Sequence, residues 1–349
     1  MKNKPNVTIR DIALKAGTSV ATAGRALGGY GKVSPKTREK VLAAAREHNF
    51  QPNMFARSLK GKATNTIGLM IANVRVPFFS LLVRAVEDAA IEKGFSVFVC
   101  NIDDDREKEC NYLSLLQSKR VDGIIVCSAF TSRDEMRGKI AHLYEQEVPT
   151  VFLDRRVEGL KRPAVQIDNF NGSIMAVDHL LNLGHERIGL ATHEPTIDTI
   201  AKRIQGYEQA LRNRGVPVDS SLIAIRGMHS LQDGFDTTRA LMRRKDRPTA
   251  LLTINALMTF GALAAIKELG LRIPEDVSLI GWDDFELATV MTPAVSVLSQ
   301  PTYSLGSIAT NMLFDMINNR GEQESIILAP QLVLRQSCME AHRVPQGRR

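Results

Sequence analysis

Between residues 1 and 62, thirteen lysines and arginines face three acids (Asp11, Glu39 and Glu47), a balance of +10 in a 349-residue chain whose total is +7. The remaining residues therefore sum to about −3, so the basicity is confined to the start of the chain. Cations at this density neutralise phosphates and release counterions, and such binding weakens steeply with salt. A second set of capable residues sits where apolar runs end. Thr150-Val151-Phe152-Leu153 closes on Asp154, and Ser278-Leu279-Ile280-Gly281-Trp282 closes on Asp283 and Asp284. Carboxylates at strand ends accept hydrogen bonds from ligand hydroxyls. Arrangements that make and break bonds are missing: there is no GxGxxG after a strand, no GxxxxGK followed by Ser or Thr, no HExxH and no GxSxG. Asp103-Asp104-Asp105 reads as a solvated turn and helix start. Cys100, Cys110, Cys127 and Cys338 have neither metal-ligand spacing nor a CxxC, and read as reduced thiols. The chain is expected not to be an enzyme and to carry no metal and no cofactor.

The basic segment needs elements to position it. Thr8 caps a first helix with Asp11 at its third position, and Ile9, Ile12, Ala13 and Ala16 give that helix one apolar face. Gly17-Thr18 makes a turn, and Ser19 caps a second short helix that ends at Gly28-Gly29. Ser34-Pro35 starts a third, which is expected to carry Val41, Leu42 and Ala45 inward. Three short helices make a small core, marginal as a free-standing domain. A basic, polar stretch over Gln51–Thr64 reads as a hinge and linker.

From Thr66 onward, apolar β-rich runs alternate with helical stretches. Strands are expected at Ile67–Ala72, Phe95–Cys100, Gly123–Cys127 and Thr150–Asp154, with helices at Phe79–Gly94, Arg106–Arg120 and Arg133–Glu147 between them. After Ile167-Asp168 the alternation repeats, with strands at Arg187–Thr192, Leu222–Arg226, Ala250–Asn255 and Val277–Asp283. Such alternation gives doubly wound parallel sheets. Two sheets side by side make two lobes with a cleft, and ligands bind at the carboxyl ends of the strands.

These segments resemble the lactose-repressor (LacI/GalR) family of bacterial transcription regulators. The resemblance rests on Val7-Thr8-Ile9-Arg10-Asp11-Ile12-Ala13, Ser19-Val20-Ala21-Thr22, Pro52-Asn53 and Ala56-Arg57-Ser58-Leu59. Further on it rests on Asp168-Asn169 with Gly172, Gly184-His185-Glu186-Arg187-Ile188, Arg203 with Gly206-Tyr207, and Ile273-Pro274-Glu275-Asp276-Val277 through Asp284. It implies an all-α helix-turn-helix headpiece (1–51), a hinge helix and linker (52–64), and a two-lobed α/β sensor like the periplasmic binding proteins (65–349). The first lobe is placed at about 65–165 and 299–325, and the second at about 166–298 and 326–342.

The resemblance assigns DNA contacts to Thr8, Ser19, Val20, Ala21, Thr22 and Arg25, and in the hinge to Asn53, Ala56, Arg57, Leu59 and Lys60. Val20 and Ala21 suit thymine methyls, and Arg25 suits a guanine edge. Leu59 would wedge into the minor groove at the operator centre. Competing readings are packing in the headpiece for Val20 and Ala21, and packing on the sensor for Leu59. Effector contacts fall to Phe78, Phe79, Asp154, Arg203, Asn255, Asp283 and Gln300. Against these stand helix capping for the two acids and ordinary core for the two phenylalanines. Trp282 is expected behind Asp283, and His185 in a structural turn. Ala23, Gly24 and Ala256 depart from the family pattern.

The implied protein is a homodimeric repressor of carbohydrate-metabolism genes. It would sit on pseudo-palindromic double-stranded operator DNA and leave it when a sugar or sugar derivative binds. Its hinge would become helical when two copies meet on DNA. Corepressor-type binding, with a purine or other ligand required for DNA, is the nearest alternative; a periplasmic solute-binding protein would lack the headpiece. The charged N-terminus and the lack of a long apolar run point to the cytoplasm and nucleoid, with no membrane. Leu332–Arg349 has no leucine heptads, so no tetramer-forming helix is expected.

Overall fold

The structure, a computed structural model, describes residues 7–28, 31–48, 50, 64–136, 141–142, 144, 148–227, 230–321 and 323–341. The chain divides into two units, Met1–Thr64 and Asn65–Arg349. In the first, helices α1 (Ile9–Lys15), α2 (Val20–Leu27) and α3 (Pro35–Glu47) form where their caps foretell. The Thr8 N–H and hydroxyl donate to Asp11 Oδ2 at 2.8 and 2.7 Å. Ser19 Oγ accepts from the Thr22 N–H at 3.1 Å, and Ser34 Oγ from that of Thr37 at 3.2 Å. Gly17 turns the chain between α1 and α2 at φ +63°, a left-handed conformation that favours glycine. Six of the eight buried residues in this core are alanine, the others being Ile12 and Val41. At ~25 cal/mol per Å² of apolar surface, methyl groups contribute little, so this unit is weakly held. Leu42 does not join that core: it is 38% exposed, and Ala44 and Ala45 take the inward face of α3 beside Val41.

In the second unit, strands β1 (Thr66–Ile71), β2 (Ser96–Asn101), β3 (Gly123–Val126), β4 (Thr150–Asp154) and β5 (Ala164–Ile167) build the first lobe. Strands β6 (Ile188–Thr192), β7 (Ile223–Ile225), β8 (Ala250–Thr253), β9 (Ser278–Trp282) and β10 (Ser296–Ser299) build the second. Helices α4 (Pro77–Glu92) and α5 (Arg106–Ser118) belong to the first lobe's run. Then come α6 (Asn169–Asn182), α7 (Asp198–Asn213), α8 (Leu231–Met242), α9 (Ala256–Glu268) and the short α10 (Leu287–Val290). Helix α11 (Thr302–Ile317) returns to the first lobe, where Leu305, Ala309 and Leu313 pack with Ile67, Leu69 and Val86. Two short strands finish the fold, β11 (Ile326–Leu328) and β12 (Gln331–Val333).

Two expectations are corrected by those last strands. The family resemblance places residues 326–342 in the second lobe, yet β11 pairs in parallel with β5, Ile326 opposite Val165, and completes the first sheet. Strand β12 enters the second sheet from the other end and pairs antiparallel with β10, so that sheet is parallel except at one edge. The strand orders are β11-β5-β4-β3-β1-β2 and β12-β10-β9-β8-β6-β7. The chain thus crosses between lobes three times, at Asp168, at Gln300-Pro301 and at Ala329-Pro330. Where a helix was expected over 133–147, the described part opens with a 3-10 turn at Arg133–Glu135; Glu135 accepts there from the N–H and hydroxyl of Thr131.

Candidate functional site

Ser19 sets the start of α2 and therefore which residues face outward. Ala23 and Ala26 turn into the core, while Val20 (45% exposed), Ala21 and Arg25 lie on the opposite, solvent-facing side. Packing inside the headpiece is thereby excluded for Val20 and Ala21. One face carries two apolar contacts and a guanidinium, the combination that reads base edges in a major groove. Thr22 is half-buried and its hydroxyl lies 2.9 Å from Ser19 Oγ, so both hydroxyls serve the cap. Thr8 is exposed at the head of α1. Asn53, Ala56, Arg57, Leu59 and Lys60 lie outside the described residues.

In the sensor, the effector candidates gather at the carboxyl ends of the strands of both sheets. Asp154 ends β4 at φ +65°, and Asp283 follows β9 at φ +71°. A non-glycine residue held there costs on the order of 1–3 kcal/mol, and such strain concentrates at functional sites. Both are buried, at 5% and 4% exposure, and burial pushes both carboxyls above the usual carboxylate range. Asp283 Oδ2 accepts the Ala256 N–H at 3.3 Å, and Gln300 Nε2 donates to Oδ1. The acid therefore caps the start of α9 while remaining in the site. Asp154 Oδ2 lies 3.8 Å from Arg155 Nε, whereas its Oδ1 has no hydrogen-bond partner among the described residues.

Arg203 of α7 supplies positive charge that opposes the raised pKa of both acids. Its Nε donates to Asn169 Oδ1 at 2.7 Å and its Nη1 to the Ile254 carbonyl, and its guanidinium sits 3.9 Å above the Trp282 ring. Burial pushes its pKa down to about 10, opposed by Asp283 and Asp154, so it keeps its charge near neutral pH. Trp282 is fully buried. It packs against Gly172, where an added Cβ would lie 2.9 Å from Cη2 of the ring. The indole is thus a platform for the arginine, packed behind Asp283 as expected.

Asn255 caps α9: its Oδ1 accepts the Met258 N–H at 2.9 Å, and its Nδ2 lies 2.9 Å from His193 Nε2. Gln300 is buried, and its Oε1 has no partner among the described residues. Ala256, the departure beside Asn255, buries its methyl and gives its N–H to Asp283. Phe78 and Phe79 are buried in the first lobe's core, where their rings meet edge to face at 5.0 Å.

Three features escaped the sequence. His193, directly after β6, is buried and bonded to Asn255, and a lone histidine in Thr192-His193-Glu194 carries no signal of that. Asp104 is not solvated: Arg155 donates to it through Nη1, and to the Ser128 carbonyl at 3.2 Å. Asp103, which pairs with Lys108 at 2.7 Å, and Asp105, which caps α5, do behave as expected. Beneath that loop, fully buried Glu109 accepts from the Ser128 hydroxyl (2.7 Å), the Ala129 N–H (2.6 Å) and the Tyr144 hydroxyl (2.5 Å). His185 is structural, its Nδ1 2.9 Å from the Thr249 hydroxyl and its Nε2 3.1 Å from that of Ser278.

The assembled set is rich in acceptors (Asp154, Asp283, Gln300) beside two buried cations, Arg155 and Arg203, a composition suited to hydroxyl groups. Among the described residues no group of three or more His, Cys, Asp or Glu is placed to hold a metal ion, and no helix is long and apolar enough to cross a membrane.

Residues 8–53 match the family model described as bacterial regulatory proteins, lacI family, and residues 64–338 that of periplasmic binding proteins and sugar binding domain of LacI family. The chain is 34% identical over 333 residues to the HTH-type transcriptional regulator DegA of Bacillus subtilis (strain 168), covering 95% of this chain and 97% of that protein. It is 32% identical over 331 residues to the HTH-type transcriptional repressor PurR of Pasteurella multocida (strain Pm70), with 95% and 98% covered. A crystal structure of the lac repressor dimer bound to operator and the anti-inducer ONPF is similar with a TM-score of 0.84, at 29% identity, over 96% of this chain and 100% of that one.

Proposed function

The chain belongs to the lacI family of bacterial regulatory proteins and is a DNA-binding transcriptional regulator, and from that premise we propose that it is a homodimeric repressor released from its operator by a sugar or sugar derivative. The observation that carries the effector reading is the strand-end set of Asp154, Arg203, Asp283 and Gln300, drawn from both lobes. Hydroxyl hydrogens satisfy buried carboxylate and amide oxygens, and ligand oxygens accept from Arg203 and Asn255. A flat base would find little to stack on, since Arg203 covers the Trp282 face and Phe78 and Phe79 are core. The sugar-binding description of the matched sensor family supports the same reading.

Two headpieces read a pseudo-palindrome in successive major grooves, as the symmetry of a dimer requires. Ligand closes the lobes and shifts the dimer contacts, and the hinges at 52–64 then lose the helical form that grips the minor groove. The protein acts by binding, not by catalysis, and its place is the cytoplasm, with the chromosome. A second reading is favoured by the similarity to proteins named transcriptional repressor PurR: here ligand, a purine among the candidates, is required for DNA binding.

The test is fluorescence anisotropy at fixed salt on DNA selected from a random pool, repeated with neutral sugars, sugar acids, sugar phosphates and purines. A sugar that weakens binding is the expected result. A purine or other compound that strengthens it supports the corepressor reading. Failure to select any DNA sinks both.

A further inference from the structure

We propose that His193 is a positioning residue: it fixes the side-chain amide of Asn255 and so decides which hydrogen bond the sensor offers at the end of β8. The functional meaning of this rests on the effector reading above. His193 is 1% exposed, with Nε2 2.9 Å from Asn255 Nδ2 and Nδ1 3.4 Å from the Arg226 carbonyl. The other end of the Asn255 amide is committed, because Oδ1 accepts the Met258 N–H at the start of α9. An amide NH2 only donates. His193 Nε2 must therefore be the acceptor, and the ring proton sits on Nδ1, facing the Arg226 oxygen. Turning the amide over would set its oxygen against the imidazole lone pair and its NH2 against the Met258 N–H, so the two contacts enforce one orientation together.

The line continues past Asn255. Ala256 donates to Asp283, and Gln300 donates to the other oxygen of that carboxylate. One hydrogen-bonded rail thus crosses the ends of β7, β6, β8, β9 and β10, in the order in which those strands lie in the sheet. Its polarity leaves Asn255 with one N–H to give and Gln300 with an oxygen to receive. The site then selects a ligand with an ether or hydroxyl oxygen at the β8 end and a hydroxyl hydrogen at the β10 end.

The experiment uses the full chain labelled with 15N-histidine, read by long-range 1H–15N correlation at pH 7.5. His193 is expected as the Nδ1–H tautomer. In Asn255→Asp, a variant that still caps α9, the proton is expected to move to Nε2 to meet the carboxylate. A wild-type ring protonated on Nε2, or on both nitrogens, overturns the proposal. Hydrogen exchange gives a second reading: His193→Gln supplies an acceptor and should keep Met258 amide protection near wild type. His193→Leu supplies none and should lose roughly fivefold, the scale of a weakened cap. Equal protection in the two variants also overturns the proposal. Neither readout needs a ligand. The effector reading is judged separately, by whether Asp283→Ala removes the Trp282 fluorescence response to D-ribose or hypoxanthine.

Discussion

Asp154 and Asp283 hold the same station in two different sheets. Each stands at the carboxyl end of the third strand in its sheet's order, with φ near +65° to +71°, and each carboxyl is held up by burial, opposed by Arg155 and then Arg203 at Asp154 and by Arg203 at Asp283. The two lobes therefore bring equivalent carboxylates within the electrostatic reach of Arg203, with Arg155 also 3.8 Å from Asp154. Trp282, the one tryptophan of the chain, lies 3.9 Å beneath the Arg203 guanidinium.

An effector that engages Arg203 should change the intrinsic fluorescence of Trp282. Asp283→Ala should abolish that change, and with it the release from operator, while operator affinity in the absence of ligand stays within about twofold. A normal response in the variant would move the effector site elsewhere.

Arg25→Ala should weaken binding to selected operator DNA by about 1–3 kcal/mol, the worth of a good bidentate base contact. Anisotropy at one salt concentration measures it. Effector affinity should be unaffected, because Arg25 lies in the other unit of the chain.

Leu59→Ala should lower operator affinity and reduce DNA bending in a gel-shift phasing assay, leaving sensor stability alone. Unchanged affinity and bending would remove the minor-groove wedge.

Glu109 titrates with a defined sign. Burial raises its folded pKa above the ordinary 4.5, with hydrogen bonds from Tyr144, Ala129 and Ser128 opposing. Its contribution to stability is greatest where the carboxyl is protonated in both states, and it falls as pH rises from that ordinary value through the raised folded one. Glu109→Gln should lack this dependence. Thermal midpoints between pH 4 and pH 8 should show the wild type losing ground to the variant as pH increases.

Gly172→Ala should destabilise the sensor by about 1–3 kcal/mol through overpacking. The new methyl would press on Trp282 and Pro330, which a Cβ there would meet at 2.9 and 2.8 Å. Chemical denaturation followed by Trp282 emission measures this loss.

What could be read in advance followed from local rules. Caps at Thr8, Ser19 and Ser34 and the alternation of apolar runs are properties of a few adjacent residues, and they located three headpiece helices and eight of the twelve sensor strands described. Strand ends followed too, which is why Asp154, Asp283 and Asn255 could be placed at the ends of β4, β9 and β8. Lobe membership of β11 was not legible, since pairing with β5 is a contact across 161 residues, as Ala164 with the Ser325 hydroxyl illustrates. Nor was the burial of Asp104, which depends on Arg155 arriving from β4. The acids of an Asp-Asp-Asp run look alike until a partner distinguishes them. Phe78 and Phe79 carried the opposite hazard: an aromatic pair near a cleft satisfies a binding motif and a packing motif equally, and here packing holds them.

The two strands joined by Ala329-Pro330 close one sheet each. The stretch from Ile326 to Val333 is thus a shared fastening, and neither sheet is complete until it has been made. A premature stop ahead of Ile326 would strip an outer strand from both lobes at once. No single cut in the gene separates an intact first lobe from an intact second one. Exchanging the sensor between related regulators is therefore an all-or-nothing operation, with its natural junction in the linker before Thr66.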